Sequence, residues 1–148
     1  LVLFSGHQSF ACPILWASKL QTEILLSSVA TEYVAFSMSM RELLPMRRLF
    51  QEICPVLELE IAKPTLVCST VFEDNQGCLS LVNVPRMSPR NKCIALKYHF
   101  FRSHIGEDKG LVAKYIRSEV QQANIFTNGV AGAGFCANQE VSHGMVIV

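Results

Sequence analysis

Residues 65–79, TLVCSTVFEDNQGCL, decide how the rest of this 148-residue chain is read. The run 65–72 is rich in β-branched and aromatic residues, which predicts a central strand. It ends in Glu73-Asp74-Asn75, and a short helix through Leu79 and Val82 is expected to follow. A strand feeding directly into a helix is a unit of an open α/β sheet, whose strand ends face the crevice where ligands bind. Two roles are open to Asp74. It can cap the helix, which aspartate does well, or present its carboxylate to that crevice.

Working outward toward the N-terminus, the positions Phe36, Met40, Leu43, Met46, Phe50 and Ile53 are spaced 4, 3, 3, 4 and 3 apart. That spacing is one face of a helix, predicted over 28–53. Pro45 should kink it or divide it in two, because proline removes a backbone bond and clashes with the preceding turn. Before the helix, 14–17 and 23–27 read as extended segments joined by a turn at Ser18-Lys19.

Toward the C-terminus, 84–90 contains Pro85 and Pro89 and reads as a loop. Ile94, Tyr98, Phe101 and Ile105 then line one face of a second predicted helix. Residues 106–110 should turn the chain into a strand at 111–116, followed by a short helix at 120–126. A Gly- and Ala-rich tail beyond it reads as poorly ordered. The order is strands, helix, strand, two helices, strand, helix. It predicts an α/β domain with a mixed sheet flanked by helices.

With 50% hydrophobic and 17% charged residues, the composition is that of a globular chain and excludes disorder over most of its length. The length suits one compact domain. A net charge of +1 argues neither for nor against a polyanionic partner. Six cysteines without a C-x-x-C pair, and no secretory leader, read as reduced and mostly buried thiols of an intracellular protein. No 18-residue apolar run is present, so a membrane partner is not expected. The missing initiator methionine is what a fragment would show. The four histidines lack zinc-ligand spacing, and no glycine-rich phosphate loop or G-x-S-x-G elbow occurs.

Two further features could carry chemistry. Glu32 lies one turn before Phe36 on the same helix face, where the helix dipole favours an anion. It reads either as a solvated first-turn residue or as a site carboxylate. Between Asp74 and Glu107 every charged residue is positive: Arg86, Arg90, Lys92, Lys97 and Arg102. This acid-free stretch is either a solvated basic face or a phosphate contact.

Four segments together resemble the ribonuclease H region that ends Copia-type retrotransposon polyproteins. Residues 13–21, PILWASKLQ, and 26–35, LSSVATEYVA, resemble the family's W-x-S-K-x-Q and L-S-S-T-E-A-E-Y-I-A. Glu73-Asp74-Asn75-Gln76-Gly77 resembles its D-N-Q strand end. Residues 92–102, KCIALKYHFFR, resemble K-H-I-D-I-R-Y-H-F-I-R, and 122–128, QANIFTN, resemble Q-L-A-D-I-L-T-K more weakly. The match runs over about 12–129, in the family's order. It implies a ribonuclease H-like domain at 12–129, with a degenerate segment at 1–11 and a flexible tail at 130–148.

What the resemblance implies is cleavage of the RNA strand of an RNA–DNA hybrid by two Mg²⁺ or Mn²⁺ ions about 4 Å apart. Glu32 and Asp74 correspond to two of the four metal-binding carboxylates. The other two are lost. Asn124 stands in place of the last aspartate, and Asp74 and Asp108 are the only aspartates in the chain, so the first is absent from it. The alternatives are a non-catalytic nucleic-acid-binding module, or the terminal piece of an active polyprotein whose first catalytic aspartate lies upstream. An amide oxygen brings no charge to a hard cation, so weak metal binding and impaired catalysis are expected. The first strands are expected to be lacking or degenerate. Implied partners are the hybrid, held by Arg86, Arg90, Lys92, Lys97 and Arg102, and an upstream reverse transcriptase domain. The implied location is cytoplasmic or nuclear.

Overall fold

A computed structural model describes residues 2–7, 10–17, 21, 24–56, 67–84, 94, 96–121 and 144–147. The carboxylate-bearing strand is β3, Ser69–Glu73. Its side chains alternate, with Ser69, Val71 and Glu73 buried and Thr70 and Phe72 half-buried. Period two therefore delivers Glu73 to the same covered face as Val71. The predicted strand was placed too early, since Val67 and Cys68 precede the pairing; residues 65–66 lie outside the described residues.

Asn75, rather than Asp74, caps the next helix. Its side chain accepts from the Cys78 N–H at 3.0 Å, opening α2, Gln76–Asn83. Asp74 is thereby freed from the capping role. Gly77 lets α2 come close to the long helix: a Cβ there would stand 2.8 Å from Val29 Cγ2.

That long helix, α1, spans Ser28–Val56. Ser27 caps it, its hydroxyl accepting the Ala30 N–H at 3.2 Å. Pro45 lies within it without dividing it. The proline ring is exposed, so the missing backbone donor falls on the solvent side. Ala30, Tyr33, Val34, Phe36, Met40 and Leu43 enter the core, while Met46 and Phe50 are half-buried and Ile53 is exposed. The face read from spacing thus holds for its first half.

Five strands form one sheet in the order β2-β1-β5-β3-β4. β1, Val2–His7, pairs antiparallel with β2, Phe10–Trp16, so the N-terminal segment expected to be degenerate forms a hairpin. β4, Leu111–Tyr115, runs parallel to β3. β5, Gly144–Ile147, lies between β1 (antiparallel) and β3 (parallel). The expected poorly ordered tail therefore contributes the central strand. The reason is that β1–β2 and β3–β4 each leave an open edge, and a strand placed between them satisfies both sets of backbone groups.

Two expected elements differ. Residues 24–27 are not a strand, and Ile24 and Leu26 are fully solvent-facing. The second predicted helix is instead a pair of 3₁₀ turns, Leu96–Tyr98 and Phe100–His104. Clustered aromatic side chains lose rotamer freedom in an α-helix. Here Tyr98 and Phe101 still reach the core through i to i+3 backbone bonds, including Arg102 N–H to His99 C=O at 3.2 Å. The last predicted helix, 120–126, falls outside the described residues from 122 on; a 3₁₀ turn at Ser118–Val120 precedes it.

The turn before β4 is tied to α1 by Arg47. This buried guanidinium donates to Gly110 C=O at 2.7 Å and Lys109 C=O at 2.9 Å. Burial holds its pKa below the ordinary arginine value.

Candidate functional site

The carboxyl end of β3 faces the first turns of α1, and this juxtaposition gathers Glu32, Glu73 and Asp74. Glu32, half-buried, is raised above its ordinary pKa by burial and then by the charge of Asp74. Glu73 is raised much further, to about 8: burial dominates, and Glu32 and Asp74 add repulsion. The Asn75 N–H donates to Glu73 Oε1 at 3.1 Å and partly offsets this. Asp74 Oδ2 accepts from Ser118 Oγ at 2.6 Å, which links the site to the segment after β4.

Cys78 closes the inner side. It is fully buried, hydrogen-bonded to Glu73, and pushed upward first by burial and then by Glu73, Glu32 and Asp74. A thiol so placed stays protonated and acts as a donor, not a nucleophile. Of the two cysteines whose exposure is described, Cys78 is buried and Cys68 is exposed.

Beside the carboxylates lies an aromatic wall. Tyr33 and His99 are joined by a Tyr33 Oη to His99 Nδ1 hydrogen bond of 2.8 Å, and His99 Nε2 lies 3.4 Å from Ile94 C=O. A carbonyl only accepts, so Nε2 carries the proton and Nδ1 accepts from the phenol. Burial, and to a smaller extent Arg102, hold His99 below its ordinary pKa. Burial pushes Tyr33 up to about 12, Arg102 opposing and Cys78 reinforcing. Arg102 thus belongs to the surroundings of Tyr33 and His99.

The remaining expected residues separate. Lys97 stands 4.8 Å from the centre of the Tyr98 ring. Arg86, Arg90, Lys92 and Asn124 lie outside the described residues. A cleft of about 270 Å³ is lined by Gln21, Ala35, Met38, Ser39, Arg41 and Glu42 and contains none of the three carboxylates. Glu73 was not singled out from sequence as a site residue. The available signal was the alternation of β3, which places residue 73 on the face of Val71, while the D-N-Q match drew attention to Asp74.

The fit to metal is incomplete. Among the described residues no group of three or more His, Cys, Asp or Glu side chains is disposed to hold an ion. Glu73 spends its carboxyl on Asn75 and Cys78, and Asp74 on Ser118. Among the described residues, no helix is long and apolar enough to cross a membrane.

No family model matches the chain, and no solved structure matches it. It is 28% identical over 137 residues to the retrovirus-related Pol polyprotein from transposon RE2 of Arabidopsis thaliana, a match covering 90% of this chain and 8% of that protein. The corresponding polyprotein from transposon RE1 of the same plant is 26% identical over 137 residues, again 90% of this chain and 8% of that protein. The polyprotein from transposon TNT 1-94 of Nicotiana tabacum is 28% identical over 130 residues, 88% of this chain and 9% of that protein. The chain spans less than a tenth of the length of these relatives. Over 90% of its own length, then, this α/β chain is similar to one short segment of the retrovirus-related Pol polyproteins of plant transposons.

Proposed function

We propose that the chain is a ribonuclease H-like domain of retrotransposon origin that contacts RNA–DNA hybrids but has an impaired hydrolytic centre. The observation that carries this reading is the meeting of Glu32 and Asp74 at the carboxyl end of β3, close enough for Asp74 to raise Glu32. These two residues, from separate stretches of sequence, are the ones the resemblance assigns to metal binding. Similarity to transposon Pol polyproteins supports the origin.

Impairment follows from the donor set. Two-metal hydrolysis requires several carboxylates around paired Mg²⁺ or Mn²⁺ ions. β5, beside β3, contributes only Gly144, Met145, Val146 and Ile147, with no carboxylate. The residues present therefore do not fit a two-metal centre, and no hydrolytic step is assigned to them.

The test is incubation of the chain with an end-labelled RNA–DNA hybrid and Mg²⁺ or Mn²⁺, beside Glu32→Gln. No cleavage, with hybrid binding that weakens as salt rises and on Lys97→Gln, is the expected result. Cleavage by the parent that Glu32→Gln abolishes would overturn the impairment. Failure to bind the hybrid at all would remove the nucleic-acid role.

A further inference from the structure

The face of α1 opposite Glu32 carries a second arrangement that the carboxylate site does not use. Glu32 and Arg41 are nine residues apart in α1. At about 100° and 1.5 Å per residue they lie half a turn apart around the axis and roughly 13.5 Å along it. The exposed Arg41 guanidinium stands 5.8 Å from the centre of the Phe100 ring and 6.0 Å from that of Tyr98. Lys97 covers Tyr98 at 4.8 Å. Phe100 is 37% exposed and Leu96 is 86% exposed.

We infer that Arg41, Leu96, Lys97 and Phe100 form a binding surface for single-stranded nucleic acid, with phosphates at Arg41 and Lys97 and an unpaired base against Phe100. Charge selects a polyanion: Lys97 stands on a segment that has no carboxylate between Asp74 and Glu107, and Arg41 of α1 reaches over the rings of that segment. Shape then selects a single strand. A duplex would offer phosphates to the two cations and leave Phe100 and Leu96 uncovered, whereas an unstacked base can cover both. Arg41 contributes twice, because a guanidinium held over an aromatic ring presents its own flat face for stacking. Base–aromatic stacking beside a cationic groove is how single strands are held without sequence preference.

The inference extends the reading above by one site and shares only Lys97 with it. Its test is fluorescence anisotropy of the full chain with a labelled oligothymidylate, over a series of salt concentrations, with an RNA–DNA hybrid titrated in parallel. Arg41→Gln should lower the slope of log affinity against log salt by about 0.7, one phosphate contact to a single strand. Arg41→Lys should keep that slope. Phe100→Ala should weaken binding roughly 5- to 150-fold with the slope unchanged, as loss of one stacked base does. Phe100→Leu, which keeps apolar bulk against Phe101, should give the same loss and covers the case in which the alanine variant fails to fold.

Oligothymidylate affinity unchanged in Arg41→Gln and in Phe100→Leu overturns the inference. If the hybrid still binds in a Lys97-dependent way, the reading above stands without it. If neither nucleic acid binds, both fall. Displacement of the oligonucleotide by polyglutamate at equal charge concentration would reassign the surface to acidic protein and also overturn it.

Discussion

Glu73→Gln should stabilise this protein at neutral pH, and the gain should disappear in acid. Glu73 is buried, and its pKa stands at about 8 against an ordinary 4.5. Below pH 4.5 the carboxyl is protonated in both folded and unfolded chains, so the folded state carries no penalty. Between 4.5 and about 8 the unfolded chain has released the proton and the folded chain has kept it, so stability falls as pH rises. Each unit of that interval is worth about 1.36 kcal/mol. The cost is about 3 kcal/mol at pH 7 and about 5 kcal/mol above pH 8, as upper values. Glutamine keeps the oxygen that accepts the Asn75 N–H at 3.1 Å and never ionises. Urea unfolding followed by circular dichroism, for parent and variant at half-unit steps from pH 4.5 to 9, measures the difference. The two curves should converge near pH 4.5 and separate progressively to pH 8. A variant less stable than the parent at pH 7, or a difference that does not change with pH, would refute the placement of Glu73 as a buried carboxyl beside Glu32 and Asp74.

Three further outcomes follow from the packing. Arg47→Met keeps the stem but strips the donors from Gly110 and Lys109 C=O, and should cost about 2–3 kcal/mol, read as a lower urea midpoint at unchanged slope. Tyr33→Phe removes the phenol donor to His99 Nδ1; a loss of about 1 kcal/mol is expected, with the His99 pKa rising because protonation no longer breaks that bond, followed by imidazole NMR titration. Gly110→Ala should cost about 1 kcal/mol in thermal or urea unfolding, since Gly110 sits at φ 62°, a left-handed conformation that a Cβ disfavours.

Part of this molecule was legible in residue order alone. The α-helix at 28–56 announced itself through spacing, because a helix buries one stripe and the stripe repeats. β3, α2 and β4 were legible for similarly local reasons: β-branched content, a polar cap and a glycine-bounded turn. The candidate site was half legible. Glu32 and Asp74 stood out by their places on the helix face and at the strand end, the resemblance gave them a role, and the structure puts them within electrostatic reach of each other. Glu73 was missed because the D-N-Q match drew attention to Asp74; the alternation of β3 puts residue 73 on the side of Val71, and that this side is the covered one is set by tertiary packing.

The rest was decided in three dimensions. Residues 96–104 carry a helical spacing yet fold as 3₁₀ turns, which still bring Phe101 to Tyr33 and Phe36 at ring distances of 5.5 and 5.2 Å. Residues 144–147 are apolar, with β-branched Val146 and Ile147, but nothing local marks them as the central strand. Their place between β1 and β3 comes from open edges supplied by segments far away in the chain. The basic stretch is contiguous in sequence but not in action: Arg102 stands with Tyr33 and His99, whereas Lys97 and Arg41 both stand by the Tyr98 ring. Sequence determines which residues are apolar, charged or constrained, since those properties belong to each residue or its near neighbours. Which carboxylate is buried and which cation lies over which ring depends on contacts between distant segments, and only the tertiary structure decides them.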